Sequence, residues 1–152
     1  MSNDIQTLML RFEQIIPTDE QIIALYELLK LRSHRISHLN SPSFSEHLNF
    51  IINNPYRAWF LLRFDDRYIG SIYATLENSL GVNILDSYFD CCLQPVIDKV
   101  IYELDPLPPV PTVRAGYFSI NVPFSIKVMS AKLEAIGFTP TQNTRRFLSK
   151  FM

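Results

Sequence analysis

The chain has 152 residues, of which 47% are hydrophobic and 12% are aromatic. This length fits one domain, and the apolar content is enough to bury a core and to exclude an intrinsically disordered chain. Lysine and arginine total 14 and aspartate and glutamate total 15, which leaves a formal charge of -1. Such a balance gives no overall field that attracts nucleic acid or an anionic membrane. We therefore expect one domain over residues 1–152, with neither nucleic acid nor a membrane as partner.

The two cysteines, Cys91 and Cys92, are adjacent in the chain. Such a pair cannot form a disulfide framework, which indicates a reducing compartment, and the N-terminus lacks the basic and apolar regions of a signal peptide. A metal site would require a second pair of ligands at a suitable spacing, which the sequence does not provide. We expect two reduced thiols, no metal and a cytoplasmic location.

The first elements are a strand and two capped helices. Residues 7–12 form an apolar, aromatic run that is typical of a strand. Thr18 and Gln21 have the spacing of a capping box, and the apolar stripe that follows predicts a helix to about Leu31. A second box, Ser43 to Glu46, begins a shorter helix that ends before Pro55.

The middle of the chain predicts three strands and a helix. Residues 57–64 and 68–76 are apolar and aromatic runs joined by a short acidic turn, which favours an antiparallel hairpin. A second turn leads into a strand over residues 82–89. Pro95 fits the first turn of a helix, and the apolar spacing after it extends that helix to Leu104.

The last third begins with four prolines within residues 106–111, which are typical of a stiff connector. A strand over residues 112–120 follows. Ser125 can cap a final helix, for which Gly137 is a left-handed stop. Residues 138–152 end the chain as an extended strand.

This order of elements predicts the fold class. Hairpins precede a strand–helix–strand crossover, so we expect an α/β (α+β) domain with a mixed central sheet of about six strands. Helices are expected on both faces of that sheet.

Three stretches resemble a known family. Residues 57–72 (RAWFLLRFDDRYIGSI) are similar to the hairpin of the GNAT superfamily of acyl-CoA-dependent N-acetyltransferases, in which an Ile-Gly opens the second strand. Residues 81–84 (GVNI) occupy the place of that family's fourth strand, and residues 133–138 (LEAIGF) resemble its final helix and Gly-Phe stop. Residues 43–50 resemble a helix start found in branches that act on the amino sugars of nucleotide-sugars and on similar small amines.

The resemblance implies acetyl-CoA as cosubstrate, a small-molecule amine as acceptor, and direct attack of that amine on the thioester. It places the main chain of Ser87, Tyr88 and Phe89 along the pantetheine. It places residues 91–95 opposite the pyrophosphate, with Asn121 and Ser125 near the donor. The implied cofactor-binding residues are Ser87, Tyr88, Phe89, Cys92, Leu93, Gln94, Asn121 and Ser125.

The sequence also departs from the family. The segment that matches the glycine-rich pyrophosphate loop, residues 90–97, contains no glycine, and Pro95 removes one N–H donor. Gln94 is the only polar donor near the expected helix start. The family's frequent tyrosine acid falls on Leu133, which cannot protonate a leaving thiolate.

Three residues are candidates for the general base. Glu77 ends the third predicted strand, and its alternative interpretation is a solvated strand end. Asp86 lies in the fourth predicted strand, where burial would raise its pKa, and it can equally be a hydrogen-bonded partner of a nearby helix. His47 follows the capping Glu46 and could relay a proton, or be a surface or cap-associated histidine.

The leading hypothesis is therefore acetyl transfer from acetyl-CoA to a small amine. The alternative is a catalytically inactive binding or regulatory module with the same fold that no longer uses CoA. A homodimer formed through the C-terminal strand is a third possibility.

Overall fold

The computed structural model describes residues 9–32, 42–122, 127–142 and 145. Its sheet has five strands in the order β1-β2-β3-β4-β5, all antiparallel except the last pair. The strands are β1 (Leu10–Gln14), β2 (Ala58–Phe64), β3 (Arg67–Ala74), β4 (Ser79–Ile84) and β5 (Ser119–Ile120). The prediction of about six strands is corrected to five, because residues 138–142 are not in a strand and most of the remainder lies outside the described residues.

Four helices accompany the sheet in the part of the chain that the structure describes. They are α1 (Asp19–Lys30), α2 (Phe44–Ile52), α3 (Asp86–Glu103) and α4 (Lys127–Ile136). Among the described residues, none of these helices has both the length and the apolar content that a bilayer crossing requires. The mixed α+β class expected from the sequence is confirmed.

The helix ends predicted at Thr18, Ser43 and Gly137 are confirmed. The side-chain oxygens of Thr18 and Ser43 accept hydrogen bonds from the third residue of their helices, at 3.2 Å in both cases. At the other end of α4, Gly137 has φ +125°, and the Phe138 N–H donates to the carbonyl of Leu133. The predicted cap of α4, Ser125, lies outside the described residues.

Gln21 departs from its predicted role in the first capping box. Its side chain does not close the box but connects α1 to β1, because Oε1 accepts from Ile16 N at 2.7 Å and Nε2 donates to Gln14 O at 2.9 Å. Nε2 also donates to Glu13 Oε1 at 3.0 Å. Gln21 therefore fixes the angle at which α1 leaves β1.

The two sheet faces carry different helices. Trp59 and Leu61 of β2 form one buried cluster with residues of α1 and α2. The alternate residues of the sheet, Leu62 and Ile72 among them, form a second cluster with α3. The helices therefore cover both faces, as expected.

The largest error of the sequence prediction lies at the junction between β4 and α3. The strand expected over residues 82–89 ends at Ile84, and α3 begins at Asp86. Pro95 lies in the middle of α3 on its exposed side, where solvent can reach the carbonyl that the missing N–H leaves without a partner. The segment expected to be a pyrophosphate loop is therefore helical.

The strand expected over residues 112–120 is reduced to the two residues of β5. The proline-rich segment before it is held by Asn78, which is fully buried with φ +65°. The Asn78 amide donates to the carbonyls of Leu107 and Ala115 at 2.9 and 2.8 Å, and its oxygen accepts from Leu107 N at 2.7 Å. One side chain thus attaches the connector to the β3–β4 turn.

We expect Asn78→Ala to lower the free energy of unfolding by about 2–4 kcal/mol, because it leaves buried backbone groups without partners and because alanine tolerates positive φ less well than asparagine. Urea unfolding measures this loss. Asn78→Gly is the matched control, since it loses the same hydrogen bonds but accepts the backbone angle and should be about 1 kcal/mol less destabilised than the alanine variant. Wild-type stability in both variants would contradict this role for Asn78.

Candidate functional site

A cleft of about 840 Å³ lies beside β4. It extends from the face covered by α1 and α2, around the free edge of β4, to the start of α3 and to α4. At one end lie four aromatic side chains, which we call the aromatic end: Phe50, Tyr56, Trp59 and Tyr73. At the other lies the first turn of α3, which we call the helix end.

The cleft exists because β4 and β5 separate. Their pairing covers only Ser79 with Ser119 and Leu80 with Ile120. On the β3 side, the Ser79 carbonyl accepts from Thr75 N at 2.9 Å, and Leu85 N donates to Ile69 O at 2.8 Å. Because backbone groups alternate along a strand, those of Val82 and Ile84 point to the opposite side, where the described part of β5 offers no partner. These groups face the cleft.

The helix end presents backbone N–H groups. Leu85 precedes α3 and makes no side-chain capping hydrogen bond, although Tyr88 N donates to Leu85 O at 2.9 Å. A first turn without a side-chain cap favours an anion. Asp86 is an acid in this turn and acts against such an anion electrostatically.

Two cations lie near the helix end. The Arg67 guanidinium is 5.7 Å from the ring centroid of Tyr88. Lys132 of α4 forms an ion pair with Asp90 at 2.9 Å. The charge of Asp90 is thus balanced, and Arg67 lies against the ring of a first-turn residue without itself lining the cleft.

The aromatic end is a packed set of rings. Tyr56 and Tyr73 stack with centroids 3.8 Å apart and planes 6° from parallel. Trp59 meets Tyr56 and Phe50 edge to face at 5.1 and 5.9 Å. Burial, together with the neighbouring Tyr73, raises the pKa of Tyr56, so this phenol stays neutral.

His47 lies between α1 and this aromatic end. It is buried, lines the cleft, and its Nε2 has no hydrogen-bond partner among the described residues. Its ring centroid is 5.2 Å from that of Tyr26. Burial lowers its pKa and the charge of Arg32 lowers it further, against a hydrogen bond with the Ile22 backbone that raises it. Burial therefore favours the neutral form of His47, and its Nε2 is enclosed by the surrounding side chains.

The other two candidate bases lie elsewhere than the sequence suggests. Glu77 does not end a strand, because β3 stops at Ala74 and Glu77 is exposed in the turn that follows. It is not among the residues that line the cleft. Asp86 is not within a strand but begins α3, and it does line the cleft.

The predicted cofactor-binding residues are distributed along α3 and after β5. Ser87, Tyr88 and Phe89 lie in the first turns of α3 rather than in a strand, and Phe89 lines the cleft. Asn121 follows β5 and lines it as well, whereas Ser125 lies outside the described residues.

The centre of α3 cannot form the expected loop. Leu93 packs into a buried cluster with Met129 and Leu133 of α4, and Gln94 is exposed on the helix surface. Cys92 is buried against the sheet, and burial raises the pKa of its thiol to about 12. Cys91 is exposed, with its sulfur 3.2 Å from that of Cys92, and both thiols are free.

Five residues are not identified from the sequence as members of the site. They all line the cleft and are Trp59, Tyr73, Gly81, Val82 and Ile84. The signal that brings most of them together is the register of β3 against β4, in which Tyr73 lies opposite Gly81. That register cannot be read from the sequence alone.

The fold, unlike the sequence, is similar to known proteins. The sequence matches no protein-family model and no curated protein. An acetyltransferase from Thermus thermophilus superposes with a TM-score of 0.67 at 16% identity, over 88% of this chain and 89% of that one.

Two aminoglycoside N-acetyltransferases superpose as well. The 6'-N-acetyltransferase AAC(6')-Ih from Acinetobacter baumannii gives a TM-score of 0.60 at 14% identity, over 93% of this chain and 98% of that one. AAC(6')-Iy, solved in complex with CoA, gives a TM-score of 0.59 at 13% identity, over 93% of this chain and 95% of that one. The chain has the fold of the GNAT acetyltransferases, as the sequence resemblance predicted.

We expect the stability of the protein to fall as the pH drops below about 6.5, in part because of His47. The folded state holds the pKa of His47 below that of the unfolded chain, so the unfolded state binds the proton first. The stability is fully present above the unfolded pKa and is lost as the pH falls. One such group contributes at most about 1.4 kcal/mol per pH unit.

Urea unfolding at pH 7.5 and pH 5.5 tests this contribution. His47→Gln should lose less stability between the two values than the wild type, because the variant has no group to protonate at this position. The acidic residues are common to both proteins and cancel in the comparison. An equal loss in the two proteins would contradict a buried, neutral His47.

Proposed function

We propose that the protein is an N-acyltransferase that moves an acetyl group from acetyl-CoA to a small amine. The observation that carries this proposal is the separation of β4 from β5 next to a helix start without a side-chain cap. The separation provides backbone groups for an extended, amide-containing chain, and the helix start provides N–H donors for a phosphate. Acetyltransferases of the same fold, one of them solved with CoA, support the assignment.

The residues of the cleft fit the donor. The backbone groups of Val82 and Ile84 would pair with the amides of the pantetheine arm, in place of the strand partner that the described part of β5 does not supply. The N–H groups of the first turn of α3, with Arg67 nearby, would hold the pyrophosphate. Acetyl-CoA supplies an activated thioester, and no glycine is needed because the helix start itself replaces the loop.

The chemistry of the chain's own residues follows from this placement. A backbone N–H of β4 that points into the separation is suited to polarise a thioester carbonyl. An ammonium group must lose its proton before its nitrogen can attack. His47 lines the cleft on the acceptor side and is the candidate to receive that proton, once its enclosed Nε2 is exposed to the acceptor. Among the three candidate bases we therefore favour His47, with Asp86 nearer the phosphate region than the reacting atoms.

A second candidate function is a binding module with no activity. It is favoured by Leu133, which matches the family's tyrosine acid but is buried among apolar side chains of α3 and α4. Departure of the thiolate would then need a proton from solvent. The cytoplasmic location and a homodimer through the C-terminal strand also stay predictions.

We expect acetyl-CoA to raise the melting temperature by several degrees. A ligand at 100 times its dissociation constant stabilises the folded state by about 2.7 kcal/mol, and the measurement is a thermal melt with and without millimolar acetyl-CoA. An unchanged melt would contradict the acetyl-CoA-dependent enzyme. Acetylation of an amine, detected by release of free thiol, separates the enzyme from an inactive binding module directly.

The charge of Asp86 offers a sharper test. Asp86→Asn should tighten acetyl-CoA binding about three- to tenfold, since it removes an anion beside the phosphate donors, and should lower stability by about 0.3–1 kcal/mol through the helix dipole. Asp98→Asn is the matched control, because Asp98 is exposed in the middle of α3. Equal affinities in the two variants would remove the helix end from the proposed donor site.

A further inference from the structure

We propose that the aromatic end selects an amine carried on a flat, apolar, ring-sized body, such as an arylalkyl monoamine, and discriminates against polyamines and other polycations. This inference rests on the proposed function, because it names the acceptor of that reaction. It is carried by three features of the cleft: its rings, the glycine that positions one of them, and its charges.

The rings form a continuous apolar wall. Tyr56 and Tyr73 stack, and Phe50 meets both Tyr56 and Trp59 edge to face, at 5.7 and 5.9 Å. Leucines of α1 line the same cleft. Such a surface gains most from an apolar ring, because aromatic pairs in offset or edge-to-face contact add to the burial of area.

The position of the Tyr73 ring depends on the absence of a side chain at Gly81, the residue opposite it in β4. A Cβ at Gly81 would lie 2.0 Å from Cζ and 2.4 Å from the hydroxyl oxygen of Tyr73, so only a glycine lets this ring lie across β4. The chain has just four glycines, and one of them serves this contact. The ring therefore reaches from β3 over β4 toward the separation between β4 and β5, where the proposed attack occurs.

Among the residues that the structure describes, the charges near the aromatic end balance. Arg32 and Glu46 line this part of the cleft, and His47 between them is neutral. A polycation would require several carboxylates close together. The other acids that line the cleft, Asp86 and Asp90, belong to the helix end, where Asp90 is already paired with a lysine of α4. Without a surplus of carboxylates, a polycation is disfavoured more strongly than a single ammonium group on an apolar body.

The protein contains its own probe for this site. Trp59 is the only tryptophan of the chain and lies within the aromatic wall. Its fluorescence therefore reports binding at the aromatic end without any turnover. We would titrate phenethylamine and spermidine separately, each with and without saturating CoA, so that an ordered binding sequence is also detected.

We expect a saturable fluorescence change with phenethylamine and at least about tenfold weaker binding of spermidine. Phe50→Ala and Tyr73→Ala should each weaken phenethylamine binding about tenfold, as the loss of one aromatic contact does. Phe50 is 43% exposed, so its truncation keeps the fold. Tyr102→Ala is the control, because Tyr102 is 89% exposed on α3 and should change nothing.

Tighter binding of spermidine, or no saturable signal with phenethylamine in either condition, would overturn the inference. Unchanged phenethylamine affinity in Phe50→Ala would do the same. The two failures can be distinguished. If only the proposed function fails, acetyl-CoA does not raise the melting temperature, whereas phenethylamine still changes the tryptophan fluorescence.

Discussion

The pairing of β4 with β5 stops after two residues, and the rest of the site depends on that interruption. Ser79 and Leu80 are paired with β5, whereas Val82 and Ile84 point their backbone groups at the cleft. Backbone groups at an exposed strand edge pair with water or with another extended chain. In the proposed function that chain is the amide-containing arm of the donor.

The neighbouring elements keep the interruption open from both sides. Asn78 fixes the turn before β4 and holds the proline-rich connector, so that β5 meets β4 only at its beginning. At the other end, Leu93 joins α3 to α4 in one apolar cluster below the cleft. The stacked Tyr73 ring occupies the side of β4 next to α2. Strands β3 and β4 and all four helices therefore contribute to the described lining of the cleft.

Local signals explain which parts of the fold the sequence predicts. Thr18, Ser43 and Gly137 are helix ends whose chemistry is contained within a few residues, and the structure places all three as expected. The start of α3 is misplaced by the sequence because residues 82–89 have the composition of a strand, and because Pro95 suggests a first turn. The buried stripe of α3 in fact continues upstream past this proline.

The candidate site is less predictable, because its residues come together only through register and packing. Trp59 and Tyr73 belong to different strands, so no local motif unites them, and the burial of His47 depends on how α1 and α2 pack together.

Amide hydrogen exchange, followed residue by residue with NMR, tests the central claim most directly. In the free protein the amides of Val82 and Ile84 should exchange quickly, while that of Leu85, bonded to Ile69, should be protected. Addition of acetyl-CoA should slow the exchange of Val82 and Ile84 and leave Leu85 unchanged. Protection of Val82 and Ile84 in the free protein, or fast exchange of both at saturating acetyl-CoA, would contradict the account.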